Sequence, residues 1–170
     1  MIAFIDKALT GLNRLAGAFA AVLLVYIFVH IIYEIVLRSF FDDSTFVLDE
    51  FVGYAVAGMT FLAAGYALNA GSLIRVDLAV GRLKGRPRRW AELVCLGASF
   101  AMAAFCARWV GRDAWRHFTR GSVSESIAEV PLWIPVGVVW LGLVFLMLQI
   151  LACFLRIAAG GDPIKADATE

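Results

Sequence analysis

Charge is scarce in this chain. Asp, Glu, Lys and Arg make up 17% of its 170 residues, against about 25% in ordinary soluble domains, too few to coat a water-soluble globule of this size. The charges nearly cancel, at a formal net of +1. There is thus no surplus of Lys and Arg to displace counterions from phosphates, and no nucleic-acid partner is expected. Histidine is limited to His30 and to His117, which the pattern places in a loop, so a haem b bundle with its pair of axial histidines is poorly supplied. Cysteine is limited to Cys95, Cys106 and Cys153. An odd number without C-x-x-C spacing, set inside apolar runs, argues against a disulfide framework or a zinc site and leaves the thiols as small packing groups. A Gly-rich phosphate loop, a serine elbow and an H-E-x-x-H helix are all missing. No cofactor, metal site or catalytic residue is expected, and the chain does not read as an enzyme.

Apolar residues are what the chain has, 62% of the total with a mean hydropathy of +0.83. A bilayer core of about 30 Å takes roughly 20 helical residues, and four runs meet that length: Leu15 to Tyr33, Phe51 to Leu68, Leu93 to Ala107 continuing past Arg108, and Val130 to Leu155. Trp90 and Trp109 sit where interfacial aromatics belong at the ends of the third. Pro131 and Pro135 fall near the start of the fourth, where proline costs least, and predict a bend there. The expected fold is therefore an all-α integral membrane protein, a single membrane domain with four transmembrane helices over about 12–37, 47–70, 88–112 and 130–156 and a short tail over 157–170. Ala16, Ala18 and Ala20 lie at the beginning of the first run, whereas a signal-peptide cleavage site follows its apolar region, so an uncleaved span is expected.

Basic residues set the orientation. Lys7, Arg14, Arg75, Arg82, Lys84, Arg86, Arg88, Arg89, Arg156 and Lys165 fall on one side, and Arg38, Arg108, Arg112, Arg116 and Arg120 on the other. Both termini are expected in the cytoplasm. Between spans two and three, Leu73, Ile74, Val76, Leu78, Val80 and Leu83 alternate with Arg75, Asp77, Arg82 and Lys84, the pattern of an interfacial amphipathic segment. Helices in lipid associate through close approach at small residues. Gly53, Ala57, Thr60, Ala64, Ala67 and Gly71 make one small-residue face on span two, and Gly97, Ala101 and Ala104 repeat it on span three, which predicts tight packing between these two helices.

Ionisable residues near the span ends are the remaining candidates. His30, Glu34 and Arg38 share a face at i, i+4 and i+8; Glu34 lies near the interface rather than the midplane, which favours a surface ion pair over a proton relay. Asp49 and Glu50 open span two, where they favour the helix N-terminus and are also available to a cation or a partner's arginine. Arg108, Arg112, Arg116 and Arg120 form an i+4 ladder leaving the membrane, read either as snorkelling toward headgroups or as meeting an anionic partner. Ser126 and Glu129 have capping-box spacing before the fourth run.

Taken in order, Leu37-Arg38 closing span one, Phe46 and the acidic pair Asp49-Glu50 opening span two, Gly71-Ser72-Leu73-Ile74-Arg75-Val76-Asp77, and Pro131-Leu132-Trp133-Ile134-Pro135-Val136-Gly137 entering span four resemble the small membrane subunit, the Dct-type four-helix component, of tripartite ATP-independent periplasmic (TRAP) transporters. The likeness covers roughly Leu37 to Gly142. Phe46 stands where that family usually has Trp, and Ser72 where it usually has His. The resemblance implies a subunit of the bacterial inner membrane that does not itself translocate solute. It would pack beside a large membrane subunit carrying the sodium and substrate sites and help receive a periplasmic solute-binding protein loaded with an organic acid such as a dicarboxylate. On this footing Arg38, Asp49, Glu50, Gly53, Ala57, Asp77 and Pro135 are the expected contacts with the large subunit or between helices. Asp42, Asp43, Arg112, Arg116 and Arg120 are the expected docking residues, with membrane lipid as the surrounding partner. The rival readings are a membrane anchor of a redox enzyme and a small four-helix multidrug exporter, for which Glu34 is the one candidate membrane carboxylate.

Overall fold

The structure, a computed structural model, describes residues 2–69 and 86–158, with side-chain surroundings over 9–68 and 87–158. Every regular element in it is a helix: α1 (Ile2–Phe40), α2 (Leu48–Asn69), α3 (Arg86–Arg120) and α4 (Trp133–Ala158). All four contain a stretch long and apolar enough to cross a membrane. The expected interfacial segment, and with it Asp77, lies outside the described residues.

Helix ends follow from local chemistry. α3 stops because Gly121 adopts φ 60, the left-handed conformation that costs glycine least. Its N–H then bonds the Phe118 carbonyl while Ser122 N–H bonds that of His117, the paired bonds of a Schellman cap. His117 is therefore helical rather than in a loop. α1 ends at Phe40, and two residues on Asp42 is also left-handed at φ 50, a conformation that Asp tolerates better than most residues. α4 begins only at Trp133, because the residues before it belong to the preceding hairpin, where Ser124 N–H donates to the Val130 carbonyl at 2.9 Å and Leu132 N–H to that of Ser122 at 3.1 Å; the Pro131 carbonyl accepts Ile134 N–H at 3.0 Å. The expected capping box does not cap α4: Ser126 Oγ accepts from Ala128 N–H and the Ser126 carbonyl from Glu129 N–H. Those bonds close a small hairpin over 122–132, where Val123 pairs with Pro131.

The helices stand in a row. α1 packs on α2, α2 on α4 and α4 on α3, with a minor contact between α1 and α4; among the described residues α3 meets neither α1 nor α2 in a helix–helix pair. The predicted tight pairing of spans two and three is thus not what forms. Only Leu68 at the end of α2 joins a cluster otherwise made by Leu96 and Ala103 of α3 and Ile150, Cys153 and Ile157 of α4. A second cluster, Ala16 and Ala20 with Leu62, joins α1 to α2 and is flanked by Val138 and Phe145 of α4.

Small residues do make the seams, but from another face of α2. Gly53 and Thr60 are exposed, and a Cβ on Gly53 would meet nothing within 4 Å. The buried face runs through Ala55, Gly58, Leu62, Gly65 and Leu68. A Cβ on Gly142 would come within 2.6 Å of the Phe61 backbone, so α2 and α4 pack backbone to backbone at that point. On α3, Gly97 likewise has open space around it and Ala101 is exposed, while Leu96, Ala103 and Ala107 are buried.

Candidate functional site

The end of the bundle carrying the α1–α2 and α3–α4 connections, called the outer rim below, collects most of the polar side chains singled out by sequence. Glu34 organises its α1 edge. Its side chain is 2% exposed although its ion-pair partner Arg38 is 60% exposed, so the expected surface pair is instead a buried carboxylate under an open guanidinium. Arg38 Nε donates to Oε1 at 2.9 Å and Ser44 Oγ donates to the same oxygen; Thr45 N–H and Oγ1 donate to Oε2 at 3.2 and 2.6 Å. A carboxylate buried this deeply needs every acceptor site filled. The chain meets that need by folding residues 41–47 back over the last turns of α1. Neighbours ten and eleven residues downstream are invisible to helical spacing, which offers Glu34 only His30 and Arg38.

The return of the chain into α2 is tight. Phe46 takes φ 57, a costly conformation for an aromatic residue, and its N–H donates to Ser44 Oγ at 3.2 Å. Arg38, Asp42, Asp43, Ser44 and Phe46 line one shallow cleft of about 370 Å³. The structure therefore brings Arg38 together with the acidic pair Asp42 and Asp43. His30 stands apart from this knot: its Nδ1 is 2.8 Å from Tyr26 Oη and its ring lies against Phe51.

Asp49 and Glu50, the first-turn acids of α2, have different surroundings. Asp49 is exposed; Glu50 is half-buried and accepts the Tyr54 hydroxyl at 2.5 Å. Its Oε2 is sealed from solvent without a hydrogen bond of its own, and the Ser124 and Ser126 hydroxyls of the α3–α4 hairpin sit near the carboxylate. Glu50 thus lies where the start of α2 approaches that hairpin. Pro135 is the third residue of α4 and half-buried.

At the far edge, α3 carries the basic ladder. Its 35 residues extend about 52 Å, well beyond a hydrocarbon core of about 30 Å. Arg108, Arg112, Arg116 and Arg120 are all exposed. The Arg112 guanidinium lies 5.9 Å from the centre of the Trp109 ring. Phe118 packs edge-on against Trp133 with centroids 5.6 Å apart, which ties the projecting end of α3 to the start of α4. Since α1 and α3 occupy opposite edges of the row, the acidic pair Asp42 and Asp43 and the arginines do not form one site.

One polar contact had no counterpart in the sequence reading. Asn13 of α1 and Gln149 of α4 are 1% and 2% exposed, and Asn13 Nδ2 donates to Gln149 Oε1 at 2.6 Å. Gly65 of α2 makes room for this bond: a Cβ there would stand 2.7 Å from Asn13 Oδ1. Gln149 within a long apolar run was the available signal, since an amide in a lipid-spanning helix needs an internal partner.

Among the described residues no group of three or more His, Cys, Asp or Glu side chains could hold a metal ion. Residues 27–160 match the family model described as tripartite ATP-independent periplasmic transporters, DctQ component. No curated protein and no solved structure matches the chain.

Proposed function

Because this chain belongs to the DctQ family, the small membrane subunits of TRAP transporters, we propose that it scaffolds the large membrane subunit of a sodium-driven importer of an organic acid and helps dock the periplasmic solute-binding protein. The family is one of transporter components rather than of enzymes, and the four spans make this chain a multi-pass membrane protein. It resides in the bacterial inner membrane with both termini in the cytoplasm, the side favoured by its ten flanking basic residues.

The observation that carries the scaffold role is the row of helices. No span has more than 28% of its apolar window buried within the chain, so broad helix faces remain available to lipid or to another membrane protein. Gly53 is exposed and Ala57 half-buried on a small-residue stripe of α2 outside the seam through Ala55, Gly58, Leu62 and Gly65, and that stripe meets the large subunit. Arg38, Asp49, Glu50, Asp77 and Pro135 are further contacts, with Glu50 and Arg38 acting through the loops they hold. For docking, Asp42 and Asp43 offer the acidic cleft and Arg112, Arg116 and Arg120 the basic edge.

Copurification of the large subunit with the Gly53→Leu/Ala57→Leu variant tests the reading. Leucine keeps span hydrophobicity and, at position 53, starts from a Cβ with nothing within 4 Å. Loss of the large subunit with normal insertion of the variant is the expected result; full copurification and full uptake would remove this stripe from the interface.

A further inference from the structure

The depth of the aromatic residues divides the arginine ladder into two parts. Trp90 and Trp109 are 70% and 56% exposed and stand about 28 Å apart along α3 at 1.5 Å per residue, the thickness of a hydrocarbon core of about 30 Å. Tryptophan prefers the two membrane–water interfaces, so this spacing places Trp109 at the outer one. Arg112 is then about 4 Å above it, inside a headgroup layer about 5–8 Å deep; Trp115, 66% exposed, stands about 9 Å above it at the top of that layer, and Arg116 and Arg120 stand about 10 and 16 Å above, beyond it. A tilt of about 20° changes these heights by only about 6% and leaves the division intact.

Below Arg112 runs an apolar column. Met102 and Phe105 are 65% and 59% exposed, and Phe105 packs edge-on against Trp109 with centroids 6.2 Å apart. Arg112 stacks over the same indole, which holds the planar guanidinium at the top of the column and leaves its N–H groups free for an oxygen ligand. Arg108 is one turn below on the same face and exposed, with a side chain long enough to rise to the interface. Among the described residues neither arginine has an acidic partner within ion-pair distance. The column matches an acyl chain, and the Arg112 guanidinium above it, with the Arg108 side chain within a turn, matches a phosphate.

We propose that Arg108, Arg112 and Trp109 form a binding site for the phosphate headgroup of an anionic phospholipid, whose acyl chain lies along Phe105 and Met102. The site does not depend on which membrane side the outer rim faces; it is separate from the scaffold role and takes Arg112 out of the basic docking edge proposed above. It assigns Arg108 and Arg112 to lipid and leaves Arg116 and Arg120 for a protein partner.

The test is lipid retention by the full-length chain, purified with any subunit that accompanies it from bilayers of phosphatidylcholine and phosphatidylglycerol, with the retained lipid identified by mass spectrometry. Two arginines at an anionic surface correspond to a preference of about tenfold to thirtyfold for phosphatidylglycerol. Arg108→Gln/Arg112→Gln abolishes that preference, Arg108→Lys/Arg112→Lys keeps part of it, and Arg116→Gln/Arg120→Gln leaves it unchanged. Retention unaffected by the first variant, or lost in the third instead, overturns the assignment. Release of the lipid by millimolar inorganic phosphate also overturns it, since the site would then serve a free anion.

Discussion

At the residue scale, Glu34 shows how an ionisable group near a membrane interface is made tolerable. Its two oxygens accept four donors, three of them from the segment that follows α1. The carboxylate thus acts as the template on which residues 41–47 turn. Glu34→Gln preserves the shape but replaces one acceptor oxygen by an amide that faces donors. A hydrogen bond to a charged group contributes about 1.5–3 kcal/mol, so the variant should lose stability of about that size. Proteolysis within 41–47 should become faster while α2 stays inserted. Both are measurable on the purified chain in detergent, and unchanged cleavage and unfolding would show that the turn is held by something else. The spacing of Glu34 and Arg38 was legible in the sequence as an i, i+4 pair. Burial of the acid was not, because it comes from hydroxyls beyond the end of the helix.

Elements were more legible than their arrangement. Run length and apolar content located all four helices, since lipid requires each span to satisfy its own backbone. α3 extends past the expected 112 because length rules mark where the hydrocarbon ends, not where a helix ends, and Gly121 supplies the stop. Neighbour choice was misread because span two has small residues on more than one face. Gly53, Ala57 and Thr60 and the seam residues Ala55, Gly58, Leu62 and Gly65 are both spaced by three and four. Only the partner's shape selects between them, above all the bare backbone at Gly142 against Phe61. Gly142→Ala inserts a methyl group 2.6 Å from backbone and forces α2 and α4 apart, at a cost of about 1–3 kcal/mol. Gly53→Ala meets open space and should leave the isolated chain's unfolding unchanged. Equal unfolding temperatures for the two variants would contradict the seam described here.

At the scale of the whole molecule, the row of helices separates an acidic edge at the α1–α2 loop from a basic edge at the top of α3, and topology decides what these edges meet. With both termini cytoplasmic, Lys84→Cys in a variant lacking the three native cysteines should resist an impermeant thiol reagent in intact cells and react after lysis; labelling from outside would invert the orientation. In the expected orientation Arg116 and Arg120 project from the periplasmic surface, above the headgroup layer that receives Arg112, and the Phe118–Trp133 contact holds that end of α3 in place. Exposed complementary charges act mainly on encounter rates and are screened by salt. Arg116→Gln/Arg120→Gln should therefore raise the binding-protein concentration needed for half-maximal uptake by reconstituted transporter, most strongly at low ionic strength, and flatten the salt dependence. Lysine at both positions should restore part of the effect, since it keeps the charge but loses the planar fork. The same measurement on Asp42→Asn/Asp43→Asn addresses the opposite edge. If the arginine variant assembles normally and shows unchanged half-saturation and salt dependence while the acidic one does not, docking belongs to the α1–α2 cleft, and the upper arginines serve only to keep α3 in register with the membrane surface.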